Sequence, residues 1–216
     1  IPHKMLYKNS SIEKITILSP ITSIEESAFE ECSSLKTIIL PPSTTSIGNN
    51  AFKGCNSLSL ISIPSSATLI KYNTFLGDKK LEIIGSIQTI PNNMFSMCSS
   101  LTELIIPPSV TSIKSNAFKG CYSLSLISIP SSVTSFGRNT FEGVKTLEIT
   151  GTIQTIPNNM FSNCTSLTEI IIPSSITSIG ENAFQGCSSL CNISIPSSVK
   201  TIGEKAFQKC SSLSSV

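Results

Sequence analysis

Nine phenylalanines set the rhythm of the chain. Phe29, Phe52, Phe75, Phe95, Phe118, Phe141, Phe161, Phe184 and Phe207 follow one another at intervals of 23, 23, 20, 23, 23, 20, 23 and 23 residues, and only Phe136 stands outside this register. Six residues after each comes a leucine: Leu35, Leu58, Leu81, Leu101, Leu124, Leu147, Leu167, Leu190 and Leu213. Five residues before each comes Ile24, Ile47, Ile70, Ile90, Ile113, Phe136, Ile156, Ile179 or Ile202. Apolar anchors that recur at such a period mark a repeat solenoid, in which every coil lends the same positions to one continuous core.

Within a full coil, Leu101-Thr-Glu-Leu104-Ile-Ile106-Pro107 alternates and then stops at proline, the pattern of a short half-buried strand. Val110-Thr-Ser-Ile113 is a second extended stretch, and Ser115-Asn-Ala-Phe118-Lys-Gly120-Cys121 reads as one helical turn closed by glycine. A coil this short cannot enclose a core, so equivalent strands are expected to stack as a parallel sheet with a spacing of about 4.8 Å. Strand alternation predicts that the positions two and four after each leucine face outward. Those positions are Thr37, Ile39, Leu60, Ser62, Ile83, Glu103, Ile105, Leu126, Ser128, Ile149, Glu169, Ile171, Asn192 and Ser194. Their aliphatic members, Ile39, Leu60, Ile83, Ile105, Leu126, Ile149 and Ile171, predict an exposed apolar ridge across seven coils, more than a monomer usually leaves open. The competing explanation is that β-branched residues simply favour strands, or that the register is one residue off.

The 23, 23, 20 spacing itself repeats. A 66-residue unit opens SIQTIPNNMFSMCSSLTELIIP at Ser86 and TIQTIPNNMFSNCTSLTEIIIP at Thr152, which points to tandem duplication. The short coils lose three residues near Gly85 and Gly151, where a tighter bend is expected. The full-coil stretch LTEIIIPSSITSIGENAFQGCSSL, Leu167 to Leu190, resembles the BspA-like, or Treponema-type, leucine-rich repeat, and the resemblance runs from Ile12 to Val216. It departs only in the short coils and at Asp78 and Val144, where cysteine is expected, which bears on local packing. The resemblance implies a right-handed, curved leucine-rich-repeat array with the parallel β-sheet on its concave face and short helical turns or irregular coil on its convex face. It also implies adhesion or protein binding at a cell surface.

Composition narrows the functions. With 39% apolar residues the chain can bury a core, while the charged share of 13% is about half the usual and 41 Ser and 20 Thr take up the polar surface. A net charge of +2 without a Lys/Arg run argues against nucleic acid and anionic lipid as partners. No apolar run reaches membrane-spanning length, and the opening Ile1-Pro2-His3-Lys4 has neither initiator Met nor signal-peptide core.

Seven of eight cysteines, Cys32, Cys55, Cys98, Cys121, Cys164, Cys187 and Cys210, stand three after a phenylalanine, which favours a ladder of reduced, buried thiols. Cys191 lies outside it, and a disulfide among Cys187, Cys191 and Cys210 is the alternative. No paired CxxC exists and the only histidine, His3, sits at one end, so no metal, cofactor or catalytic relay is expected. The sequons at Asn9, Asn163 and Asn192 are no more than this composition yields by chance.

The expectation is therefore a single domain over 1–216 of about nine coils, a piece of a longer array, that binds protein without catalysis. A cell-surface or extracellular adhesion module is the first reading; an intracellular scaffold and a self-assembling structural protein are the alternatives. Ile15, Ile17 and the strand expected at Val216 would pair copies end to end.

Overall fold

The computed structural model describes residues 1–71, 73–77 and 79–214; the expectations at Asp78 and Val216 lie outside these described residues. Each coil carries one longer and one two-residue strand. In chain order these are β1 (Lys14–Thr16), β2 (Ser23–Ile24), β3 (Thr37–Ile39), β4 (Ser46–Ile47), β5 (Leu60–Ser62), β6 (Leu69–Ile70), β7 (Lys80–Ile84), β8 (Thr89–Ile90) and β9 (Glu103–Ile105). There follow β10 (Ser112–Ile113), β11 (Leu126–Ser128), β12 (Ser135–Phe136), β13 (Thr146–Thr150), β14 (Thr155–Ile156), β15 (Glu169–Ile171), β16 (Ser178–Ile179), β17 (Asn192–Ser194) and β18 (Thr201–Ile202). The odd-numbered strands stack in order into one nine-stranded parallel sheet. The even-numbered strands form a second wall, split into β2-β4-β6, β8-β10-β12 and β14-β16-β18.

The core lies between these walls and the phenylalanine turns. All nine anchor rings stack in one file, with neighbouring centroids 5.1–5.8 Å apart. Leu6 precedes the file at the corresponding place in the partial first coil, where its N–H donates to the Ala28 carbonyl at 2.9 Å.

The helical turn expected at Ser115–Cys121 is not helical, and the described residues contain no helix. The reason is where the amides go. Asn116, Phe118 and Gly120 donate to the carbonyls of Arg138, Thr140 and Glu142 in the next coil, at 3.0, 2.9 and 2.7 Å, instead of to residues one turn back. Lys119 and Cys121 close local turns onto Asn116 and Phe118, and Asn116 adopts a φ of 58°, which a helix does not contain. Stacking claims the hydrogen bonds that a helix needs for itself.

Hydroxyls occupy the corners for the same reason. Ser109, Ser132, Ser175 and Ser198 each donate from Oγ to the carbonyl of Ile87, Val110, Ile153 and Ile176 in the preceding coil, at 2.6–2.9 Å. The Ser-rich composition thus supplies bonds between coils as well as a solvated surface.

The short coils change the stacking at both walls. On the nine-stranded sheet, β7 offers Glu82–Ile84 to β5 but Lys80–Glu82 to β9, and β13 offers Glu148–Thr150 to β11 but Thr146–Glu148 to β15. Each five-residue strand thereby absorbs a slip of two residues, which keeps every side chain on its face because the strand period is two. On the second wall, Pro91 and Pro157 stand where full coils place Gly48, Lys71, Lys114 and Gly180, whose amides donate to the carbonyls of Ile24, Ile47, Ile90 and Ile156. Proline has no N–H to give, and the wall breaks at these two junctions.

Candidate protein-binding face

The outward positions of the nine-stranded sheet form one face of the largest sheet among the described residues. Thr37, Ile39, Leu60, Ser62, Glu103, Leu126 and Ser128 are half-buried there, and Ile105, Glu169, Ile171, Asn192 and Ser194 are exposed. Ile105 and Ile171 show 39% and 54% of their surface.

Ile83 and Ile149, expected on this face, are instead in the core, each 1% exposed. In a full coil the inward residues of the strand stand three and five after the leucine, as Ile61 and Ile63 do after Leu58. In the short coils the leucine itself enters the strand, pairing Leu81 with Leu104 and Leu147 with Ile170, so that the next inward residue is two further on. The outward residues there are Glu82 and Ile84, and Glu148 and Thr150. These four were missed by carrying the full-coil offset into coils with a different one. The signal was present in Lys80-Leu-Glu-Ile-Ile84 and Thr146-Leu-Glu-Ile-Thr150, whose alternation starts at the leucine.

An unbroken apolar ridge is therefore not what the sheet displays. Along one row of paired residues, Leu60, Glu82, Ile105, Ser128 and Thr150 succeed one another. Along the next run Glu103, Leu126, Glu148, Ile171 and Ser194. In these two rows each aliphatic side chain has a carboxylate beside it, Leu126 on both sides, whereas Ile39 and Ile84 pair with Ser62. Lys80 reaches Glu103 at 2.8 Å, an exposed pair worth little in stability. Two shallow depressions indent the face, one of about 150 Å³ between Lys80, Glu82, Glu103 and Ile105, the other of about 460 Å³ over Glu169, Ile171, Asn192 and Ser194.

The thiol ladder is not part of this face, since six of its seven cysteines are buried in the core. Cys55, Cys121, Cys187 and Cys210 donate from Sγ to the carbonyls of Phe29, Phe95, Phe161 and Phe184 at 3.0–3.1 Å. No disulfide links any of the eight cysteines, all of them among the described residues, and the alternative at Cys187, Cys191 and Cys210 is not formed. Burial pushes the Cys121 and Cys187 thiols up to about 12, and that of Cys164 well above the ordinary value. His3 is exposed, with Nδ1 2.7 Å from the Glu26 carbonyl. Among the described residues no group of three or more His, Cys, Asp or Glu is placed to hold a metal ion, and no helix is long and apolar enough to cross a membrane.

A sequence profile of the BspA type Leucine rich repeat region (6 copies) matches residues 1–84, 78–148 and 143–216. No curated protein sequence matches the chain. Among solved structures, a leucine-rich repeat protein from Bacteroides ovatus is similar at 24% identity over 99% of this chain and 80% of that one, with a TM-score of 0.42. The leucine-rich repeat protein of T. pallidum is similar at 24% identity, covering 95% of this chain and 78% of that one, TM-score 0.42. A leucine-rich cell surface protein from Faecalibacterium prausnitzii is similar at 22% identity, covering 94% and 86%, TM-score 0.36.

Proposed function

Because the chain belongs to the BspA-type leucine-rich repeat family, whose stacked coils are protein-interaction modules, we propose that it is a non-enzymatic adhesion module, displayed at a cell surface, that holds a protein partner against its nine-stranded sheet. The observation that carries this reading is the alternation of exposed or half-buried aliphatic side chains with carboxylates on that sheet. Ile105, Leu126 and Ile171 offer apolar anchors, and Glu82, Glu103, Glu148 and Glu169 frame them with negative charge. Such a face suits a partner that presents apolar side chains flanked by Lys or Arg, the apolar contacts supplying affinity and the charges orientation and rate.

The test uses the chain immobilised against a panel of purified matrix and cell-surface proteins. The triple variant Ile105→Lys, Leu126→Lys, Ile171→Lys is expected to lose at least about tenfold in affinity for any protein the native chain retains, since each anchor is worth roughly 1 kcal/mol or more. Its circular dichroism should stay unchanged. Undiminished binding by the triple variant would remove the sheet face from the proposal.

An intracellular scaffold of the same fold is the second reading, and eight cysteines with no disulfide between them favour it, since disulfides form and persist in oxidising compartments. Thiol counting on protein from its native source separates the two: eight reactive thiols after denaturation fit the intracellular scaffold, and a disulfide at Cys191 fits the surface.

A further inference from the structure

The two junctions where the second wall breaks are open clefts of the same build, three coils apart. The cleft between β6 and β8 has a volume of about 360 Å³ and the cleft between β12 and β14 about 590 Å³. No Cα of β6 comes within 8 Å of β8, and none of β12 within 8 Å of β14. Paired strands lie about 4.8 Å apart, so one further strand between two others needs about 9–10 Å.

The walls of each cleft are unused strand edges. In the intact parts of the wall, the inward isoleucine turns its carbonyl to the following coil, as Ile24 and Ile47 do toward the amides of Gly48 and Lys71. The residue before it faces the preceding coil, as the Leu69 amide does toward the Thr45 carbonyl. By this alternation Phe136 and Thr155, which both line the second cleft, aim their N–H and C=O groups into it from its two sides; at the first junction Thr89, which lines the cleft, and Ile70, just beyond its lining residues Ala67 and Thr68, face each other in the same way. None of these backbone groups has a hydrogen bond within the described residues. Below them lies an apolar floor, Ala67 and Ile87 in one cleft and Val133 and Ile153 in the other. Among the described residues, Lys114, at the rim of the first cleft, is the one charged side chain lining either.

Two facing edges of backbone donors and acceptors, set more than 8 Å apart over an apolar floor, match the chemistry of an extended polypeptide. We propose that each cleft accepts one strand of a partner polypeptide, running parallel to β6 and β8 or to β12 and β14, so that the strand closes the wall with hydrogen bonds to both sides. The segment that fits is uncharged. It carries small aliphatic side chains toward the floor and hydroxyl or amide side chains toward solvent, as the chain's own Thr-Ser-Ile strands do. This mode of binding is independent of the nine-stranded face.

The probe is a capped peptide copying residues 174–180, Ser-Ser-Ile-Thr-Ser-Ile-Gly, which includes β16, a strand bonded on both sides in the native wall. Amide exchange is followed by NMR at Ile70, Thr89, Phe136 and Thr155 in the intact chain. Saturating peptide is expected to slow exchange at these four sites by at least about tenfold, while amides of the nine-stranded sheet do not change. A peptide N-methylated at alternate residues, which cannot donate to one wall, should leave the four rates unaltered. The variant Thr89→Pro, with unchanged circular dichroism, should lose protection in the first cleft and keep it at Thr155. The proposal is overturned by unchanged exchange at millimolar peptide, or by equal protection from the N-methylated peptide. It is also overturned by protection that rises with protein concentration without peptide, which would assign the clefts to a second copy.

Discussion

At the scale of single residues, the cysteine position shows how a repeat chooses its side chains. The site lies against the carbonyl of a phenylalanine in the previous coil, with room for a small side chain and one weak donor, and a thiol supplies both. The cost of ionising such a thiol makes stability depend on pH. Cys121 and Cys187 are held neutral by burial, their pKa raised from the ordinary thiol value near 9 to about 12. Above pH 9 the unfolded chain gives up these protons and the native chain keeps them, so the native state binds more protons and loses stability as pH rises. Stability is complete below pH 9 and falls between about pH 9 and 12, by about 1.4 kcal/mol per pH unit for each such thiol. Urea melts at pH 8 and pH 10.5 should show this drop, and the double variant Cys121→Ala, Cys187→Ala should show a smaller one. In the native protein near neutral pH, a thiol reagent should modify the exposed Cys191 rapidly and the six fully buried ladder cysteines only after unfolding. The ladder was legible in the sequence, because one residue type recurred at one offset; the state of Cys191 was not, because it has no counterpart in other coils.

At the scale of elements, the short coils separate what periodicity reveals from what it hides. Phenylalanine spacing located them, yet which residues of Lys80–Ile84 face the core depended on how β7 pairs with two neighbours at once, a matter of register between coils rather than of pattern within one. The two-residue slip makes Ile83 a core residue and leaves Ile105 on the surface. Ile83→Ser is accordingly expected to cost about 3 kcal/mol, by removing buried apolar volume and burying a hydroxyl, and Ile105→Ser less than about 1 kcal/mol. Equilibrium urea unfolding of the two variants compares them directly, and equal costs would contradict the slip. Gly85 and Gly151 permit the same arrangement. Each has a φ near the left-handed side, +102° and +93°, and a Cβ added there would lie 2.6 Å from the Ile63 carbonyl oxygen or 2.5 Å from that of Ile129. Gly85→Ala should therefore destabilise by roughly 1–3 kcal/mol, read as a fall in Tm. The missing helix belongs to this scale too: Asn116 to Cys121 has the apolar residue and the closing glycine of a helical turn, but a stack of identical segments gives its amides better partners in the next coil.

For the whole molecule, stability is a chain of nearest-neighbour terms, since each coil bonds only to the coils before and after it. The stacked phenylalanines couple these terms, and Phe118 sits in the middle of the file, between Phe95 at 5.5 Å and Phe141 at 5.2 Å. The two clefts on the second wall flank this central block, β8-β10-β12, so the coils on either side are joined to it without that wall, through the nine-stranded sheet, the phenylalanine turns and the corner bonds in which the Ile87 and Ile153 amides donate to the Ile63 and Ile129 carbonyls. Removing the ring at Phe118 therefore weakens the block that links both halves, whereas removing Phe207, half-buried at the last described coil, affects one neighbour. Phe118→Ala is expected to cost about 3–5 kcal/mol and to broaden the urea transition or divide it into two, as each half unfolds with less dependence on the other. Phe207→Ala should leave one sharp transition with a smaller shift and faster amide exchange confined to the last coils. If both variants unfold in single transitions with equal losses, the array behaves as one cooperative unit, and the clefts do not mark places where the solenoid divides.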